Sequence, residues 1–166
     1  VVGDNWQGWI PKTQMPGMIN PARAWVGTAN HDTRPDAYPY YYGSGFAPSY
    51  RYSRLSQLLQ SKAKTTPDDH LAFMLDINNT QAPRLIQAMT SALANHETFA
   101  PWAEVLKLWD FEEDPEQVAP VLYHAIYHHI PEVVLSDELG TTTARSYSNN
   151  WYFWQERFDQ LLFSES

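Results

Sequence analysis

Apolar positions along this chain change their rhythm near residue 49. From Ser49 onward they recur at helical spacing, and Leu55, Leu58 and Leu59 predict a helix over 49–63. Thr65-Thr66-Pro67-Asp68-Asp69 reads as a helix start. Thr66 can cap it, Pro67 suits the first turn, and the two Asp favour the positive end of the helix dipole. That helix is expected to carry Leu71, Met74 and Leu75 inward. A further helix over 81–93 places Pro83 in its first turn and uses Leu85, Ile86 and Met89. A short helix over 101–108 leads into the sharp turn "WDFEEDPE". Asp114-Pro115-Glu116 repeats the cap-proline-acid pattern, with Val118, Val121, Leu122 and Ile126 as the buried stripe of a helix that Pro131 is expected to end. A short helix over 132–138 and a last one over 146–163, with Trp154, Phe158, Leu161 and Leu162 inward, complete the body.

Residues 1–48 lack this rhythm and hold half of the twelve prolines and six of the seven glycines. Their one strand-like run is Ala24–Ala29, where Trp25 and Val26 suit a pleated surface. The fold class is therefore mainly α: an irregular arm over 1–48 with one orphan strand, then a helical body over 49–166. The strand has no partner in the pattern, and an unpaired buried strand would strand its backbone donors and acceptors. Either the run is not a strand, or its sheet belongs to chain outside these residues; the second is the preferred reading.

Composition narrows the options. A hydrophobic share of 43% and seven Trp fit a packed domain rather than a disordered one. No apolar run approaches the roughly 18 residues of a membrane span, and "VVGDNWQGWIP" does not read as a signal peptide. The absence of Cys excludes disulfides, thiolate catalysis and Cys-ligated zinc. Net charge is −8, divided into a basic stretch over 1–64 and an acidic remainder. Such a balance argues against nucleic acid as a partner.

The candidate chemistry is sparse. His124 and His128 stand one helical turn apart, but Ala125 occupies the position where a zinc protease carries Glu, and no third ligand is evident. "DFEEDPE" lacks the alternating ligands and central Gly of a calcium loop; a solvated helix start explains it. The tyrosines of "YPYYYGSGFAPSY" could form a sugar platform, but packing of an irregular segment accounts for them. Ser44, flanked directly by Gly43 and Gly45, does not meet the five-residue Gly-x-Ser-x-Gly pattern. By position alone Asn30 is a turn residue and Arg51 a surface charge.

The order of segments, however, resembles the penicillin amidase (penicillin acylase) family of N-terminal nucleophile hydrolases, in the later part of their β-subunit. "WQGWIP", "MPGMINPARAWVGTAN" and "DAYPYYYGSGFAPSYRYSRLSQLL" carry the resemblance through residue 59; "LKLWDFEEDPEQVAPVLYHAIYHHI" and "NNWYFW" extend it more loosely. The resemblance implies an αββα parent fold and amide hydrolysis, on a β-lactam side chain, an acyl-homoserine lactone or a similar N-acyl amide. It also implies a self-processing precursor, whose exposed N-terminal Ser is nucleophile and whose own amine is base. By the match, Asn30 is the side-chain donor to the oxyanion and Arg51 organises the same site. The tyrosine-rich chain between them would then fold back to bring the two together.

No nucleophile falls within these residues: Val1 has no hydroxyl. Ala24 replaces the family's Gly, and His31 follows the Asn. Some members bind calcium in the loop after that Asn; here the loop is rich in Tyr and no metal or other cofactor is carried over. The expected partners are the remaining α- and β-subunit chain and a small amide substrate, in the periplasm or secreted, with the 166 residues inactive alone. The competing reading is a non-catalytic relative serving as a binding or assembly module.

Overall fold

Seven helices follow an arm whose one regular element is a short 3₁₀ turn, Lys12–Gln14, in a computed structural model that describes residues 8–150 and 152–163. The beginning of the "WQGWIP" match and Trp151 of "NNWYFW" lie outside the described residues. The helices are α1 (Tyr50–Gln60), α2 (Pro67–Met74), α3 (Ala82–Ala94), α4 (Ala100–Lys107), α5 (Val118–Leu139), α6 (Thr141–Ser148) and α7 (Gln155–Phe163). The mainly helical class is as the spacing predicts.

Local chemistry explains the starts of α2 and α3. Thr66 forms a complete capping box: its hydroxyl accepts from Asp69 N at 3.2 Å, and the Asp69 carboxylate accepts from Thr66 N at 2.8 Å. Lys62 pairs with the same carboxylate, and together these donors hold the Asp69 carboxyl at about 2. The start of α3 is capped from three residues back, where Asn79 Oδ1 accepts from the N–H groups of Gln81 and Ala82 at 2.8 Å each. In the acidic turn, Asp110 and Asp114 accept from the N–H groups of Glu112 and Glu116 at 3.0 and 2.9 Å. Those side chains shape the turn, and α5 starts only at Val118.

One aromatic core joins α3, α4, α5 and α7. Leu85, Met89, Leu106, Trp109, Tyr123, Tyr127, Trp154 and Phe158 are all buried within it. Tyr127 stacks between Tyr123 and Trp154, with ring centroids 5.9 and 5.4 Å away. Burying rings of this size supplies much of what opposes chain entropy.

Several expectations are corrected. Pro131 does not end α5, and the helix predicted over 132–138 is its continuation. Pro131 costs the helix one backbone bond, but it is fully buried, and Arg145 of α6 pairs with Glu132 at 2.7 Å just beyond it. Packing against α6 thus carries the helix on to Gly140, whose φ of 74° suits glycine and divides α5 from α6. The final helix predicted over 146–163 is accordingly two, α6 and α7. The buried face of α5 is Ala119, Pro120, Tyr123, Tyr127 and Pro131, while Val118 and Val121 are exposed. An apolar surface on nearly every side of α5 leaves the choice of face to its neighbours. Leu71 and Met74 of α2 and Leu75 just after it also point outward, as does Leu161 of α7.

Ala24–Ala29 forms no strand. The β contact in the described residues is an isolated bridge between Asn78 and Glu112. Ala24 and Asn30 both adopt left-handed φ, 61° and 64°, so the extended run is broken at each end and meets no partner strand among the described residues.

Candidate active site

Asn30 occupies a backbone conformation that few side chains accept, and Asn is among the few. Its N–H donates to Thr28 Oγ1 at 3.1 Å, and its carbonyl accepts from Ala47 N at 2.8 Å. The second bond closes the tyrosine-rich loop on itself. Within that loop Tyr38 and Tyr40 donate to the Gln14 carbonyl and side chain at 2.9 and 2.5 Å, tying it to the 3₁₀ turn. The fold-back expected between Asn30 and the first helix is therefore present, and it brings Pro48, Ser49 and α1 beside the Asn.

Arg51, in the first turn of α1, reaches across to this corner. Its Nη2 donates to the Ala29 carbonyl at 2.9 Å and to Asn30 Oδ1 at 3.0 Å. A guanidinium can only donate, so the contact fixes which end of the Asn30 amide faces it. Oδ1 is turned to Arg51, and Nδ2 is left pointing away, donating to no acceptor among the described residues. Both side chains are solvent-exposed. The Arg51 guanidinium also lies 5.9 Å over the Tyr152 ring. Clefts flank the pair: one of about 370 Å³ lined by Pro48, Tyr50, Arg51, Tyr152 and Gln155, and one of about 520 Å³ reaching His31, Ser49 and Glu156.

A second cluster, which the sequence reading did not anticipate, supports the corner from below. Arg23 lies 4.1 Å over the Trp25 ring, donates to the Trp25 carbonyl at 3.0 Å, and donates to the Tyr52 hydroxyl. His31 stacks on Tyr52 at 3.7 Å, and its Nδ1 accepts from Ala29 N at 3.4 Å. Burial lowers the His31 pKa, with the Asp32 and Glu156 carboxylates opposing and Arg23 reinforcing. A neutral ring is what the Ala29 bond requires, since only an unprotonated Nδ1 accepts. Spacing could not have revealed this group, because Tyr52 stands 29 residues from Arg23.

The remaining candidates are placed elsewhere. His124 pairs with Glu113 at 2.9 Å on exposed surface, while His128 is nearest to His129 in ring contact. The Tyr41 hydroxyl lies 3.4 Å from Ser44 Oγ. Among the described residues no group of three His, Cys, Asp or Glu side chains is set to hold a metal ion, and no helix is long and apolar enough to cross a membrane.

Comparison with known proteins identifies the family. The family model described as penicillin amidase matches residues 2–165. The penicillin acylase 2 proenzyme of Pseudomonas sp. (strain SE83) is 29% identical over 133 residues, which is 78% of this chain and 17% of that protein. The chain thus spans about a sixth of that relative's length. No solved structure matches. With the family model matching residues 2–165, nearly the whole chain, the chain belongs to the penicillin amidase family.

Proposed function

We propose that this chain forms part of an acylase-type amidohydrolase, in which Asn30 Nδ2 donates to the oxyanion formed when a nucleophile attacks an N-acyl amide. Arg51 holds the Asn30 amide in the donating orientation. The observation that carries this reading is the bond from Arg51 Nη2 to Asn30 Oδ1, because it leaves the amide's donor end free. An oxyanion is best stabilised by donors already aimed before charge develops. Asn30 meets that need twice, through its constrained backbone and through its side-chain anchor.

The nucleophile is assigned to chain outside these residues, as the terminal Ser of a self-cleaving precursor. The relative's printed name, a penicillin acylase proenzyme, supports both the chemistry and the processing. The substrate class is an N-acyl amide, a β-lactam side chain or an acyl-homoserine lactone among them. The residues 24–29 are proposed to find their sheet partners in the rest of the parent chain.

The test is made on the full-length gene product. Intact mass and N-terminal sequence should show self-cleavage that disappears when the new terminal Ser is replaced. In the processed protein, Asn30→Ala should lower kcat by about 10²- to 10³-fold, the usual cost of one oxyanion donor. Undiminished hydrolysis by Asn30→Ala would overturn the assignment, and an uncleaved, inactive full-length chain would favour a binding module instead.

A further inference from the structure

Arg51 is exposed, yet its bond to Asn30 spans 21 residues of sequence. A long side chain in water does not keep one rotamer without help, so the backbone from which it springs must be fixed. The N-cap of α1, Ser49, makes no side-chain capping bond of its own. Its partners come from α7. The Glu156 carboxylate accepts the Ser49 N–H at 2.9 Å and the Ser49 hydroxyl as well, across 107 residues of sequence. A carboxylate at this end of α1 also complements the helix dipole.

The next residue is held from the same helix. The Tyr50 hydroxyl donates to Asp159, a buried carboxyl that also accepts from Gln81 Nε2 at 2.7 Å and from the Tyr127 hydroxyl at 2.6 Å. Burial and the Asp159 carboxyl push the Tyr50 and Tyr127 hydroxyls well above the usual phenol range, which keeps both as donors. The Thr80 hydroxyl donates to the Tyr50 carbonyl at 3.1 Å. The two residues immediately before Arg51 are thus each gripped by a carboxyl of α7. Asp159 is integral to the core; Glu156 lines the cleft that also contains His31.

We propose that Glu156 is a positioning residue for the active site: it fixes the first turn of α1 so that the Arg51 guanidinium meets Asn30 Oδ1. This inference rests on the reading of Asn30 and Arg51 as site residues. It predicts that removing Glu156 acts through Arg51 and in no other way on turnover.

Four forms of the full-length processed protein test it: wild type, Glu156→Ala, Arg51→Ala and the double variant. Glu156→Ala should lower kcat by up to about 10²-fold with KM unchanged, the scale of a misplaced catalytic group. The double variant should be no slower than Arg51→Ala alone. Equal losses from Glu156→Ala in both backgrounds would overturn the proposal, because Glu156 would then act independently of Arg51. Glu156→Gln keeps the shape and one acceptor oxygen, and should lose less than Glu156→Ala if folding is intact. A crystal structure of Glu156→Ala protein supplies a readout that needs no turnover. Arg51 Nη2 withdrawn from Asn30 Oδ1 supports the proposal, and a retained 3.0 Å contact overturns it. If Arg51→Ala leaves hydrolysis undiminished, the reading of Arg51 as a site residue fails, while the crystal structure still decides the role of Glu156.

Discussion

The arm over residues 8–48 and the helices after it both carry many aromatic rings, but the two regions use them differently. In the helices, Trp109, Tyr123, Tyr127, Trp154 and Phe158 lie inside one contiguous cluster. In the arm, Trp9 is 91% exposed and Tyr41 79%, Tyr38 meets Tyr40 edge-on, His31 stacks on Tyr52, and Arg23 and Arg34 lie over Trp25 and Phe46. The helical region is therefore held chiefly by burial, with the Asp159 hydrogen bonds set inside it. The arm is held by directional bonds at a few points: Tyr38 and Tyr40 to Gln14, Ala47 to Asn30, Arg23 to Tyr52, and Arg51 to Ala29. Directional bonds set geometry more sharply than burial does, and the Asn–Arg pair sits where the arm meets α1. Under the proposed function Asn30 is a donor that must be aimed, and that second kind of support serves such a donor better.

The contrast can be broken first in the core. Trp154→Ala removes a ring packed against Tyr127, Tyr147 and Phe158, and should cost about 4 kcal/mol. Its thermal midpoint should fall by roughly 8–16 °C for a chain of this size. A shift of only one or two degrees would show that burial does not dominate the helical region.

Arg23→Ala tests the arm. It removes the cation over Trp25 and the donor to Tyr52, at a cost of about 1 kcal/mol. Limited proteolysis should cut the arm faster while the helices keep their protection from hydrogen exchange. Equal loss of protection in α3 and α5 would mean that the two regions unfold as one unit.

The smallest effect is expected from pH. The folded pKa of His31 lies below its ordinary 6.5. The unfolded chain therefore binds more protons as pH falls through 6.5, and the associated stability, complete above that pH, is lost below it. Protonation also removes the acceptor for Ala29 N–H. Exchange of the Ala29 amide, followed by NMR, should accelerate as pH is lowered from 7 to 5 after correction for intrinsic rates, and His31→Phe should abolish the dependence. An unchanged profile in His31→Phe would assign the effect to another group. The charged groups facing His31 are Asp32, Glu156 and Arg23, and of these only the carboxylates oppose the shift.

Sequence by itself determined the helical class, the capped start at Thr66, the proline-bearing first turns at Pro67 and Pro83, and the inward Leu85, Met89, Trp154 and Phe158. It also singled out Asn30 and Arg51, through the order of segments shared with a family rather than through any spacing. Each helix signal acts within about one turn, where a cap, a proline ring or an i to i+4 apolar pair is decided by adjacent residues. Tertiary structure alone decided that Pro131 would be buried inside a continuous helix, that α5 would turn Tyr123 and Tyr127 inward rather than Val118 and Val121, and that Ala24–Ala29 would meet no partner strand among the described residues. It alone joined Arg51 to Asn30 over 21 residues, Glu156 to Ser49 over 107 and Asp159 to Gln81 over 78. Asp159 does share its helix face with Phe158 and Leu162, so a carboxyl on an apolar stripe was the one legible hint. Its partners were not legible, because contacts across such separations depend on which helix faces meet, and packing rather than local preference makes that choice.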